Sequence, residues 1–164
     1  MKNSKIFAVL LTLFCQSAVF AKVQPIDQVN SLVDSFHRFA SDAKADDYFD
    51  LMADNMVFMG TDASERWSKQ EFKDFALPIF SKGRGWTYTV LQRHVQLNDD
   101  ATIAWFDELL NNDSYGQCRG SGVLGLTSQG WKLSQYNLSV PLPNAIAKNI
   151  VEQISQYKSQ LKDK

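Results

Sequence analysis

The sequence predicts an α+β fold in which N-terminal helices pack on a strongly curved antiparallel sheet and a C-terminal amphipathic helix follows. Two observations lead to this class. The first half carries apolar residues at helical spacing, and from Trp86 onward β-branched and aromatic residues alternate with turn compositions. The apolar stripes of helices need a sheet face to cover them. A sheet that wraps around them would form a pocket.

Two helices and a strand are expected at the start of the domain. Asp27 can cap the first helix, and the second is expected from Asp46 through Met52. A buried strand over Met56–Met59 then ends at Gly60. The first helix is identified by one apolar stripe at three- and four-residue spacing: Val29, Leu32, Val33, Phe36, Ala40 and Ala43.

A third helix follows a polar loop at 61–66. Ser68 and Glu71 form the S-x-x-E pattern of a capping box in front of a further apolar stripe. Pro78 lies inside this stripe and lacks a backbone donor, so a kink or an early end is expected there.

Four antiparallel strands in a meander are predicted for the second half. The turn compositions are Asn98-Asp99-Asp100, Asn111 to Ser114, and Gln129-Gly130. They separate strands near 86–97, 101–111, 115–127 and 131–140. After two prolines, residues 144–161 have the spacing of an amphipathic helix.

The first 21 residues have the pattern of a signal peptide. Lys2 and Lys5 precede the apolar run Ile6–Phe14, and cleavage is predicted after Ala21. Cys15 would permit lipid attachment instead, but the bulky Phe14 before it argues against that route. The remaining residues, 22–164, are expected to form a single domain that is periplasmic or secreted, with no membrane association after cleavage.

The composition of the mature chain restricts its partners. Without the two signal-peptide lysines, 15 basic residues stand against 18 acidic ones, a formal charge of −3. The basic residues are scattered, which disfavours nucleic acid as a partner. Cys118 would be the single remaining cysteine, so an intramolecular disulfide is excluded. Two separated histidines and one cysteine offer no ligand spacing for a metal, and none is predicted.

Several short motifs resemble SnoaL-like domains of the nuclear-transport-factor-2-like superfamily. The resemblance extends from about Val29 to Asn144 and is most specific from Tyr115 to Leu124. It implies a conical fold with an inner cavity, and often a dimer formed through the sheet. The motifs are Gly60-Thr61-Asp62 with Glu65 and Trp67, Arg93-His94-Val95, Ala104-Trp105-Phe106-Asp107-Glu108, Tyr115-Gly116, Arg119-Gly120-Ser121-Gly122-Val123-Leu124, Gly130-Trp131-Lys132, Gln135-Tyr136 and Pro141-x-Pro143-Asn144.

The predicted turn at Asn112-Asp113-Ser114 would place Asp107 opposite Arg119 and Trp105 opposite Ser121. All four side chains would share one face of the sheet, since strand side chains alternate with period two. A carboxylate facing a guanidinium can orient a polar ligand, or it can be a structural cross-strand pair.

Candidates for proton transfer are few. Histidine is the side chain whose reference pKa lies near neutrality, and His94 lies mid-strand, so His94 and Asp107 are the catalytic candidates. The alternative interpretation of His94 is a buried histidine satisfied by a hydrogen bond. Glu108 would point to the opposite face from Asp107, so the two cannot act together. His37 lies beside the apolar stripe of the first helix and is interpreted as surface or edge packing.

Trp67 follows the polar loop and either closes the pocket or packs in the core. The expected ligand-binding residues are Trp67, His94, Trp105, Asp107, Arg119 and Ser121. Gly120, Gly122 and Gly125 match G-x-G-x-x-G, but no helix follows, so no dinucleotide or other cofactor is expected.

These features predict an exported protein that binds a small, partly apolar molecule in its cone, with no reaction assigned. One alternative is an acid/base enzyme of isomerase, dehydratase, cyclase or hydrolase type, as the resemblance implies. Another is a homodimer that docks a partner through its last helix.

Overall fold

The computed structural model describes residues 23–162. The predicted signal peptide lies outside these described residues. An α+β arrangement of helices on one face of a curved, open sheet is observed, and its order along the chain is α1 (Pro25–Ser41), α2 (Ala45–Asp50), β1 (Met52–Met59), β2 (Arg66–Ser68), α3 (Lys69–Phe80), β3 (Thr89–Leu97), β4 (Ile103–Asn112), β5 (Gly116–Thr127), β6 (Gly130–Ser139) and α4 (Asn144–Lys162).

The helices begin and end close to the predicted residues. Helix α1 starts at Pro25 rather than after Asp27, because proline at the first helical position needs no donor. The predicted capping box is confirmed, since the Ser68 side chain accepts from the Glu71 backbone and the Glu71 carboxylate accepts from the Ser68 backbone. Helix α3 ends two residues after Pro78, as the missing donor predicts.

The sheet has six strands in the order β2-β1-β6-β5-β4-β3. The predicted meander of β3 to β6 is confirmed as consecutive antiparallel pairs. The sheet as a whole is mixed, because β1 pairs in parallel with β6. Its partners lie far apart in sequence, so turn compositions give no signal for this pairing.

The predicted register of the β4–β5 hairpin is wrong, because the observed turn lies one residue later in the chain than the predicted turn. The observed loop is 113–115, and Asn112 pairs with Gly116. Asp107 therefore lies opposite Ser121, not Arg119, and Arg119 lies opposite Leu109. Moving the turn by one residue shifts the pairing of the two strands by two positions. An even shift preserves the alternation of side chains, so the four predicted residues still share one face.

The two faces of the sheet differ in burial. The face toward the helices carries the core, including Phe106, Leu110 and Leu124, which are all buried. The opposite face, called here the outer face, exposes Trp105 and Ile103 by 43% and 47%. The predicted pocket must therefore lie on the helix side of the sheet.

Helix α4 stands apart from this core. Its apolar stripe is exposed at Ile146, Ile154, Tyr157 and Leu161. Within residues 23–162, no helix combines the length and the apolar character needed to cross a bilayer.

Candidate ligand-binding cavity

A cavity of about 220 Å³ lies between the helices and the inner face of the sheet. Most of its wall is aromatic, and its polar groups come from a few side chains. Such a mainly apolar concavity with a few polar groups is the usual form of a small-molecule site. The lining residues are Phe36, His37, Tyr48, Phe58, Gly60, Thr61, Glu65, Trp67, Phe72, Phe75, Trp86, Tyr88, Tyr115, Tyr136 and Leu138.

One wall is a run of nearly parallel rings. The ring centroid of Tyr136 lies 5.7 Å from that of Phe58, and Phe58 stacks on Phe72 at 3.8 Å. Trp67 continues the run at 5.8 Å from Phe72 and 4.8 Å from Phe75. These rings hold each other in place across β1, β2, α3 and β6, so the wall is formed before any ligand arrives.

A buried ionic network meets the cavity at His37 and Tyr136, which both belong to its lining. The Glu108 side chain is fully buried, and its Oε1 lies 2.7 Å from Nε2 of His37. The same oxygen accepts a hydrogen bond from the Tyr136 hydroxyl at 3.2 Å. Arg93, the cross-strand neighbour of Glu108, donates from Nε to Oε2 at 2.9 Å.

Arg93 links this network to the surface. Its side chain is only 8% exposed, and Nη1 donates to the exposed carboxylate of Asp34 at 2.7 Å. Arg93 Nη2 is buried and has no hydrogen-bond partner within the described part of the chain. The guanidinium charge is thus shared between Glu108 and Asp34, and it is balanced without contributing a cation to the cavity lining.

The protonation states follow from these contacts. Burial by itself would raise the pKa of Glu108, but the hydrogen bond and charge of His37, together with Arg93, outweigh burial and hold this pKa below its ordinary value. Burial and the adjacent Glu108 charge raise the pKa of Tyr136 well above its ordinary value. Glu108 is therefore the ionised acceptor, and Tyr136 keeps its proton and donates.

A second tyrosine offers an unused polar group. Tyr48 is fully buried, and among the described residues no acceptor lies within hydrogen-bond distance of its hydroxyl. Burial raises the pKa of Tyr48 well above its ordinary value, so it remains a neutral donor. A buried hydroxyl without an acceptor is costly in a protein interior, which makes this atom a natural contact for a polar group of a ligand.

Gly120 gives the buried network its space. A Cβ atom at this position would stand 2.8 Å from Glu108 Oε1 and would overlap the Tyr136 hydroxyl. The sequence motif around Gly120 therefore serves close approach of side chains to the strand, as predicted for glycines within a strand.

Of the predicted ligand-binding residues, only Trp67 lines the cavity. The other five, His94, Trp105, Asp107, Arg119 and Ser121, lie on the outer face, so their placement in the inner pocket is wrong. His94 pairs with Asp107 across the strands, and both are exposed. Trp105 donates its indole N–H to the Gln96 side chain at 2.7 Å.

Sequence reasoning missed His37 and Glu108. His37 is 8% exposed, which contradicts the surface alternative and leaves packing beside the apolar stripe, and it lies one helical turn after the buried Val33. Glu108 has the same parity along β4 as the buried Phe106 and Leu110. The helical spacing of His37 and the strand alternation of Glu108 could both be seen in the sequence. A charged residue such as Glu108 is rarely buried without a partner, however, and its partner His37 lies 71 residues away in the chain.

Potential metal ligands are not clustered in the described part of the chain. Within residues 23–162, no group of three or more His, Cys, Asp or Glu side chains is arranged to hold a metal ion. Cys118 is buried and has no disulfide partner among the described residues, and burial raises the pKa of its thiol.

The architecture is that of the nuclear-transport-factor-2-like fold. A protein of this family from Streptomyces avermitilis, assigned as a dehydratase, superposes with a TM-score of 0.61 at 15% identity, covering 72% of this chain and 96% of the other. A nuclear-transport-factor-2-like protein from Pseudomonas putida KT2440 gives 0.60 at 12% identity, with 72% and 87% covered. An assigned calcium/calmodulin-dependent protein kinase II association domain from Xanthomonas campestris gives 0.55 at 19%, with 82% and 99% covered.

Within that fold class, the sequence defines the family. The model of the SnoaL-like domain matches residues 29–143, and the chain therefore belongs to the SnoaL-like family. No curated protein matches the chain by sequence. The family and the fold agree with the resemblance noted from the sequence motifs.

Proposed function

We propose that this protein binds a small, partly apolar molecule in the cavity between its helices and its sheet. The observation that supports this proposal is the preformed ring wall together with polar groups in the same lining, among them His37 and the hydroxyls of Tyr136 and Tyr48. The wall supplies apolar contact area, and the polar groups supply orientation.

Binding of indole, a small neutral aromatic probe, tests this proposal. We expect Trp67→Ala to weaken indole binding about tenfold, because the substitution removes a ring of the cavity wall. Saturation-transfer NMR or calorimetry would measure the affinity. Trp105→Ala is the matched control, since it removes the same side chain from the outer face. Equal loss in both variants, or no binding to the wild type, would contradict the proposal.

A second candidate function is acid/base catalysis in the same cavity, and the contact between His37 and Glu108 favours it. Because an ionised carboxylate only accepts hydrogen bonds, Nε2 of His37 must donate, which leaves Nδ1 as the nitrogen able to take a proton. An enzyme of this kind would exchange solvent deuterium into a bound carbon acid, and His37→Asn would stop the exchange. If the wild type shows no exchange, acid/base catalysis is contradicted and binding remains the proposed function.

We also propose export with cleavage after Ala21. The support is the charged start and the short apolar run that follows it. The intact mass of the protein from its native cell envelope should correspond to a chain that begins at Lys22. A protein that retains residues 1–21 in the cytoplasm would contradict export.

A homodimer through the outer face is the proposed assembly. Trp105 and Ile103 are exposed there, beside the half-buried Leu109 and Val123. The stripe on α4 is a further exposed surface that a docking role would use. Native mass spectrometry counts the subunits, and a monomer at micromolar concentration would contradict the dimer.

A further inference from the structure

Building on the proposed binding function, we propose that the ligand is an organic cation: a protonated amine joined to an apolar or aromatic body. The amine lies against the carboxylate of Glu65 at the cavity wall, and the body lies among the rings. The apolar wall by itself does not define the charge of the ligand, whereas the carboxylate of Glu65 does.

Glu65 is held in position by its own turn. The backbone N–H of Glu65 donates to Asp62 at 2.9 Å, and the Gly60 N–H donates to the Glu65 carbonyl at 2.9 Å. The Glu65 carboxylate accepts from the backbone N–H of Asp62 at 3.1 Å and packs over Gly60. A carboxylate fixed in this way loses little conformational freedom when a cation binds to it.

No cation of the described chain neutralises Glu65. Within residues 23–162, its carboxylate forms no ion pair with a lysine, arginine or histidine, although it is half-buried and lines the cavity. A partly desolvated carboxylate without a counter-ion attracts a positively charged group. The ligand can supply that group.

The rest of the lining offers no unbalanced positive charge to an anion. It contains neither lysine nor arginine, and the nearly buried Arg93 is bound to Glu108 and Asp34. The imidazole of His37 is held against Glu108, so any positive charge on it is balanced locally. Electrostatic complementarity therefore selects a cationic or neutral ligand and rejects a carboxylate or phosphate.

Three probes that share one body separate the charge from the apolar contribution. They are 2-phenylethylamine, which is a cation at neutral pH, the neutral 2-phenylethanol and the anionic 3-phenylpropanoate. We expect the amine to bind about fivefold more tightly than the alcohol, because this ratio corresponds to the free energy of one partly exposed ion pair. The anion should bind more weakly than both.

Two variants locate the effect. Glu65→Gln keeps the acceptor for the Asp62 N–H but removes the charge, so the amine and the alcohol should then bind equally. Asp113→Asn removes the same charge from the exposed β4–β5 turn, outside the cavity lining, and should keep the fivefold preference. Binding of the alcohol to both variants shows that the cavity is intact.

The outcomes separate the two proposals. If the alcohol binds the wild type as tightly as the amine, or if Glu65→Gln retains the preference, the cationic ligand is wrong while the binding function stands. If none of the three probes binds, the binding function itself is contradicted.

Discussion

The Glu108→Gln variant is expected to unfold with a free energy about 3–5 kcal/mol below that of the wild type, the usual cost of removing one partner from a buried ion pair. Glu108 is fully buried between His37, Tyr136 and Arg93. An amide in its place leaves the nearly buried guanidinium of Arg93 with only the exposed Asp34 as its counter-ion. Urea denaturation at pH 7 would measure the difference.

The stability difference should also depend on pH. Because the pKa of Glu108 is lower in the folded protein than its ordinary value, the carboxylate stabilises the fold above its unfolded pKa of about 4.3. That contribution is lost as the pH falls through the folded pKa. The difference in unfolding free energy between the wild type and Glu108→Gln should therefore remain large from pH 5 to 8 and decrease under acid conditions.

The neighbouring carboxylate provides the control for this effect. Asp107 lies next to Glu108 on β4, but its side chain is on the exposed outer face. Asp107→Asn should change the unfolding free energy by less than about 0.5 kcal/mol. Similar losses from Asp107→Asn and Glu108→Gln would argue against a buried network.

Gly120→Ala is expected to destabilise the protein by about 1–3 kcal/mol, the range for overpacking a filled interior. The added methyl group would stand 2.8 Å from Glu108 Oε1 and would overlap the Tyr136 hydroxyl. Either the strand or the hydrogen-bonded network must move. Thermal or urea denaturation would measure the loss, and tyrosine-ring NMR signals would report the displacement of Tyr136.

The same substitution at Gly125 is the matched test on strand β5. A Cβ atom there meets only Ser134 Oγ at 3.8 Å, an ordinary contact. Gly125→Ala should therefore be within about 0.5 kcal/mol of the wild type. A loss at Gly125 as large as that at Gly120 would indicate that strand glycines are needed for backbone bending and not for the space around Glu108.

Local patterns were sufficient for most of the fold. The capping box at Ser68, the stop near Pro78 and the four-strand meander depend on neighbouring residues, so composition and spacing define them. The parallel pairing of β1 with β6 depends on contacts between distant segments. No turn joins these strands, which explains why this pairing was not predicted.

The site was harder to predict than the fold, because the alternation of side chains along a strand assigns residues to two faces but does not identify the buried one. Asp107 and Arg119 were correctly placed on one face, but that face is the outer one. A buried Glu108 is acceptable only with its partners, and His37 contributes from α1, 71 residues away in the chain. Such long-range compensation is a property of the folded structure.

Mapping of indole binding by backbone-amide NMR shifts tests the central claim most directly, because the two faces of the sheet give separate signals. We expect concentration-dependent shifts around Trp67, Phe72, His37 and Tyr136, with the outer-face residues Asp107 and Arg119 unchanged. Shifts that cluster at Asp107 and Arg119 while the cavity residues stay still would show that the ligand site is on the other side of the sheet.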